Sequence, residues 1–261
     1  MDRSNIEKIA QTADDRMLLA KVWDKINAGV RKNIPANTSF LSLREQDMAN
    51  YLFGQHEGLY AFGGYEDAER KMLVYLPEYL DGSSLYEEGS PVVCLRASFY
   101  EADALTHRDF LGALMGAGIA REAVGDICVG KGCCDFFVTT EIAPYIQQNF
   151  SSAGRTKIRL HRIPLSEATI PQAETKEIRD TVSSLRLDSI ISAGFRVSRT
   201  AAAGYITAGK VAINGLPCEK PDKAVIEGAK ISVRGLGKIQ LTNVGGQTKK
   251  GRISITINRY I

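Results

Sequence analysis

The residues of this chain best placed to do chemistry are cations, not nucleophiles or metal ligands. Arg199 follows Ser198 at the start of a segment with helical spacing, where unpaired backbone N–H groups and the helix dipole favour a phosphate. A guanidinium fork meets phosphate oxygens bidentately. Residues 181–261 hold 13 Lys and Arg against 4 Asp and Glu, a net of +9. The other 180 residues hold 20 against 26, a net of −6. Such asymmetry within a chain of overall charge +3 points to a polyanion partner for the basic end.

Other chemistries lack their motifs. There is no G-x-x-x-x-G-K-[ST] phosphate loop, and Gly130-Lys131-Gly132 is too short to be one. No G-x-S-x-G elbow or H-E-x-x-H helix occurs. His56, His107 and His161 stand apart from each other and from the cysteines, so no metal and no cofactor is implied. The five cysteines form an odd set without a C-x-x-C pair, and Cys133-Cys134 reads as buried in a strand. The charged start shows no secretory signal, and no apolar run reaches membrane-spanning length. These features predict reduced thiols and a cytoplasmic protein. A catalytic reading would rest on scattered carboxylates such as Glu57, Asp103 and Asp126, which no motif links.

The elements that must position the cations are short. Ser184 can cap a first helix carrying Leu187, Ile190 and Ile191, with Gly194 as its end. Ser198 caps a second over 199–208, with Ala202, Tyr205 and Ile206 at helical spacing. The 201–204 run of small residues leaves room for another backbone, and Gly209 supplies a left-handed stop. Val211 and Ile213 alternate in a strand that ends at the hairpin signal Asn214-Gly215. Further strands are predicted over 230–234 and 238–241.

The stretch RLDSIISAGFRVSRTAAAGYITAGKVAINGLPCEKPDKAVIEGAKISVRG resembles the S4 RNA-binding domain, whose pattern is R-L-D, S-R, I-x-x-G-x-V-x-(V/I)-N-G and G-D-x-I-x-V-R-G. The similarity covers about 50 residues. Ala229 departs from the usual Asp and puts the local turn geometry in question. A solvated charged surface would carry the same excess of cations, but here the excess coincides with a fold suited to RNA. The resemblance implies RNA contacts by Arg186, Arg196, Ser198, Arg199, Thr200 and Lys210, with Lys220, Lys223 and Lys238 steering association. Pseudouridine synthases with S4 domains also carry a catalytic Asp in R-L-D, but in a separate domain downstream of S4. Asp188 therefore reads as part of the first helix.

With an S4 domain near its C-terminus, the whole chain resembles the YlmH family of bacterial S4-domain proteins. That likeness implies binding to structured RNA, rRNA of the large ribosomal subunit and tRNA, in rescue or quality control of stalled ribosomes, without catalysis. The rival readings are an RNA-modifying enzyme with S4 delivering substrate, and a cell-division-associated adaptor whose acidic N-terminal part binds a protein partner.

The expected fold class is α+β. Residues 1–82 read as an N-terminal α/β region, with helices over 6–28 and 43–53 and strands over 59–64 and 71–76. Its dense aromatics are expected to pack in a core. A linker is predicted over 81–91. Residues 83–164 follow a β-α-β-β-α-β order, the ferredoxin-like layout shared with RRM domains. The Lys131–Val138 run begins like an RNP1 motif but places Asp135 where a base would be repelled. The closing strand, 157–163, extends an alternation that puts Arg155, Lys157, Arg159 and His161 on one face. A secondary RNA contact and an ordinary solvated strand edge both fit that face. Residues 165–182 read as a connector and 183–261 as the S4 domain.

Overall fold

The computed structural model describes residues 3–54, 56–171, 174–249 and 251–261. The chain forms two compact units, 1–171 and 172–261.

In the first unit the helix expected over 6–28 is broken into α1 (Ile6–Ile9) and α2 (Ala13–Lys32). A capping box makes the break. Thr12 Oγ1 accepts from the Asp15 N–H, and the Asp15 carboxylate accepts from the Thr12 N–H, both at 3.1 Å. Arg44, from α3 (Leu43–Phe53), forks onto the same carboxylate at 2.8 and 2.6 Å and pins the two helices together. β1 (Ala36–Asn37), β2 (Leu59–Phe62) and β3 (Met72–Tyr75) form an antiparallel sheet in the order β1-β3-β2. Phe53, Phe62 and Tyr75 pack as expected, whereas Tyr51 and Tyr79 lie exposed. The linker expected over 81–91 contains a 3₁₀ turn, Gly82–Tyr86, with Leu85 buried.

Next come β4 (Val92–Ser98), α4 (His107–Gly116), β5 (Val124–Val129), β6 (Cys133–Thr139) and α5 (Ala143–Asn149). A small hairpin, β7 (Ser152–Ala153) with β8 (Thr156–Lys157), leads into β9 (Arg159–Ile163). The sheet order β5-β6-β4-β9, antiparallel throughout, is the ferredoxin-like arrangement. Phe110, Leu114 and Ile146 of the helices bury against Leu95, Phe136 and Val138 on one face.

The opposite face is the one an RRM offers to bases. Here Phe137, Cys94, Cys128 and Ile163 pack against Phe40, Phe62, Met72 and Val74 of the N-terminal region. The approach is close enough that a Cβ on Gly125 would meet the Phe40 ring at 2.7 Å. The two regions thus keep their own clusters and pack together through a third that they share.

The remaining part of that face is strapped. Asp135, fully buried, stands directly opposite Arg96 and accepts from its Nε and Nη2 at 2.7 and 2.5 Å. Arg96 Nη2 also donates to Glu167 O and Thr169 Oγ1, and the Thr169 N–H donates to Asp135 at 2.6 Å. Asp135 therefore holds the chain that leaves β9; it is not a charge poised against a base.

In the second unit, β10 (Thr175–Val182) occupies residues expected as connector, Gln172 and Ala173 lying outside the described residues. It pairs along its whole length with β15 (Ile253–Tyr260), Ile178 opposite Ile257 and Val182 opposite Ile253. β11 (Val211–Ile213), β12 (Leu216–Pro217), β13 (Lys230–Val233) and β14 (Gly237–Gln247) complete a six-stranded antiparallel sheet. Its order is β10-β15-β14-β13-β11-β12. α6 (Leu187–Phe195) and α7 (Arg199–Thr207) cover one face, burying Leu187, Ile190, Ala202 and Ile206 against Ile231, Val233, Ile239 and Ile257.

Helix ends differ from expectation in two places. Arg186, not Ser184, is the N-cap of α6. Gly194 lies inside the helix, where a Cβ would strike Ile239 at 2.7 Å, and the left-handed stop is Arg196, φ 56°. The small run 201–204 buries Ala202 against α6 and the sheet, while among the described residues nothing lies within 4 Å of where a Cβ on Gly204 would stand.

Candidate nucleic-acid interface

Two helix starts and one loop build the site. Ser198 Oγ accepts from the Ala201 N–H at 3.1 Å, which fixes the first turn of α7 and leaves Arg199 and Thr200 exposed. The loop after β12 docks on the start of α6. Leu187 N–H donates to Lys223 O at 2.9 Å and Asp188 N–H to Pro221 O at 3.0 Å. This brings Lys220 and Lys223, both exposed, beside Arg186.

Asp188 joins the two helix starts. Arg186 donates to its two oxygens at 3.2 Å each, and Arg199 Nη2 donates to Oδ2 at 2.9 Å. The carboxylate is nearly buried, while the Arg186 and Arg199 side chains remain 41% and 53% exposed. Burial pushes the Asp188 carboxyl up, but hydrogen bonds from the two guanidiniums outweigh it and hold it below the usual range. Two cations on one anion leave a surplus positive charge, and both forks keep an open side toward solvent. The pairing orients the guanidiniums without neutralising the surface.

The other expected residues divide by face. Arg196 is exposed in the turn between the helices. Lys210 is exposed just before β11, its Nζ 5.8 Å over the Tyr205 ring. Lys238 does not join them. Ile231, Val233 and Ile239 point to the helices, so Lys238, opposite Ser232 in the register, stands on the other face, its Nζ 5.7 Å over the Tyr260 ring. In the first unit the expected continuous strand is interrupted at the buried Ile158. Arg155 lies in the β7–β8 turn, Lys157 on β8 and Arg159 on β9, all exposed.

Two residues beside the site were missed in the sequence. Arg234, exposed, donates its N–H to Lys210 O at 2.9 Å and extends that cationic corner. Its signal was the R of I-S-V-R-G, read only as a strand end. Arg259 lies 5.2 Å over the Phe195 ring at the C-terminal end of α6, and nothing local in the sequence marks it.

At Ala229 the turn closes without the carboxylate. Gly228, φ 85°, donates to Leu241 O at 2.7 Å, and the Leu241 N–H donates to Ala229 O.

Glu57, Asp103 and Asp126 do not converge. Asp126 is occupied by the Tyr65 hydroxyl and the Glu69 and Arg70 N–H groups at 2.7 to 3.0 Å. Among the described residues no His, Cys, Asp and Glu cluster could hold a metal ion, and no helix is long and apolar enough to cross a membrane.

This pair of short helices on an antiparallel sheet, cations at both helix starts, belongs to the S4 class of RNA-binding domains, and the S4 domain family model matches residues 185–231. A family model described as "Putative RNA-binding domain in YlmH" matches residues 99–167. A curated relative is the ribosome-associated protein quality control protein P2 of Bacillus subtilis (strain 168). It is 36% identical over 224 residues, 85% of this chain and 86% of that protein. The chain belongs to the YlmH family of S4-domain proteins. Among solved structures, the cell division protein YlmH from Streptococcus pneumoniae has a similar fold, TM-score 0.51 at 18% identity, over 62% of this chain and 98% of that one.

Proposed function

We propose that the second unit binds structured RNA of the large ribosomal subunit, or tRNA carried on it, in the cytoplasm. The protein would thereby act without catalysis in the quality control of stalled ribosomes. The observation that carries this reading is the exposed Arg186–Asp188–Arg199 arrangement, a surplus cation presented at two helix starts. Helix N-termini and guanidinium forks both favour phosphate, and an RNA helix offers phosphates and shape more than sequence. The Bacillus subtilis relative, a ribosome-associated protein quality control protein, supports the ribosomal setting. The covered sheet face of the first unit argues against base stacking there in the RRM manner.

The test is sedimentation of the full chain with purified ribosomal subunits on sucrose gradients at low and high salt. Co-migration with the large subunit at low salt, lost at high salt and in an Arg186→Ala/Arg199→Ala variant, is the expected result. Co-migration unaffected by that double variant would remove this surface from the interface.

A further inference from the structure

A groove in the first unit has no part in the RNA reading. It runs along α2 from Asp14 to Ala28, faces the 38–42 segment and encloses about 870 Å³. Fifteen helical residues span about 21 Å, the reach of about six extended residues and longer than a compact small molecule. Its walls are apolar at Met17, 60% exposed, and at the half-buried Leu18.

Arg70 and Arg121, both half-buried, line the same groove. Backbone carbonyls hold them: Arg70 Nε donates to Val124 O and Nη2 to Phe40 O at 3.0 and 3.1 Å, and Arg121 Nη1 to Val124 O at 2.6 Å. Carbonyls fix a guanidinium without neutralising it. Among the described residues no ion pair joins either arginine to a carboxylate. Burial, then the neighbouring charge of Arg70, pushes the Arg121 pKa down against the opposing charge of Asp126. Burial likewise pushes the Arg70 pKa down, against the opposing charges of Glu45, Asp126 and Glu122. Arg70 Nη1 and Arg121 Nη2 have no acceptor among the described residues, and neither is sealed from solvent. Free, preorganised donors of this kind suit one oxyanion. Asp14, Asp24, Glu45 and Glu122 line the groove beside Lys21, Lys25 and the two arginines, a balance that gives a polyphosphate chain no net attraction. The unit as a whole is acidic, with 18 Lys and Arg against 23 Asp and Glu over 1–171.

We propose that this groove docks a peptide segment of a protein partner, apolar where it meets Met17 and Leu18 and carrying one carboxylate to the Arg70–Arg121 pair. The site is independent of the RNA surface. Selection of phage-displayed random dodecapeptides on the full-length protein supplies the probe, and the best binder is synthesised and titrated by fluorescence anisotropy. The expected binder combines apolar residues with a single Asp or Glu, and its affinity falls at least tenfold in Met17→Asp and in Arg121→Gln. Amidating that carboxylate in the peptide should abolish the sensitivity to Arg121→Gln. Met17 is a surface residue of α2, so Met17→Asp decides the matter should Arg121→Gln fail to fold. No enrichment of such peptides, or a binder indifferent to Met17→Asp, overturns the proposal. So does a labelled RNA strand whose binding is lost in the same variants.

Discussion

In the first unit Asp135 is fully buried and faces one guanidinium; in the second, Asp188 is nearly as buried and faces two. The Arg96–Asp135 pair balances its charge, and its remaining hydrogen bonds are spent on Glu167 and Thr169. It closes a sheet face. The Arg186–Asp188–Arg199 arrangement leaves one charge over, on side chains half open to water. An ion pair therefore does not by itself mark an arginine as structural. Stoichiometry and exposure decide, because a buried one-to-one pair has nothing left for a ligand, while a shared carboxylate orients a surplus cation.

The comparison breaks most visibly on removing each partner. Asp135→Ala strands Arg96 against the sheet and leaves the Thr169 N–H without its acceptor, so urea unfolding should show a loss of about 3–5 kcal/mol. Arg199→Ala leaves Asp188 paired with Arg186 across a solvent-screened contact, and should cost under about 1 kcal/mol of stability. Equal losses in the two variants would erase the distinction.

A second balanced pair, Arg44–Asp15, sharpens the structural half. The Arg44 hydrogen bond, opposed by burial and aided by the Gln11 N–H, holds the Asp15 carboxyl at about 2, below its ordinary 3.8. A folded-state pKa below the unfolded one gives stability that is present above about pH 4 and lost as pH falls toward 2. The contribution is on the order of 2 kcal/mol. In Arg44→Gln the slope of unfolding free energy over that window should flatten; an unchanged slope would show the pair to be inert.

The smallest effect separates orientation from charge. Ser198→Ala removes the α7 cap at a cost of about 1 kcal/mol while changing no charge. RNA affinity should fall several-fold if the cap sets the aim of Arg199, and stay level if only net charge matters. Anisotropy with a structured rRNA fragment reads the difference.

How much of this was legible in the sequence followed from how local each cause is. Ser198 caps its own helix, Gly209 at φ 65° stops it, and Asn214-Gly215, at φ 49° and 81°, turn the hairpin, so α7 and β11 stood where their residues pointed. β10 was hidden because its partner β15 lies some 75 residues further on and its alternation, Ile178 and Val182, is sparse among charges. The face occupied by Lys238 depends on strand register, which the short strand predicted over 238–241 does not carry. The double role of Asp188 arises only when the start of α7 folds back on the start of α6. The strap at Asp135 needs Thr169, 34 residues away, to arrive.

The salt dependence of binding between the full chain and large-subunit RNA tests the central claim most directly. Neutralising ~4–6 phosphates gives a log–log slope of roughly −4 to −5 by analogy with duplex DNA, and each of Arg186→Ala and Arg199→Ala should make it shallower by about one. A steep slope that neither substitution alters would contradict the account, because the phosphates would then be held elsewhere on the molecule.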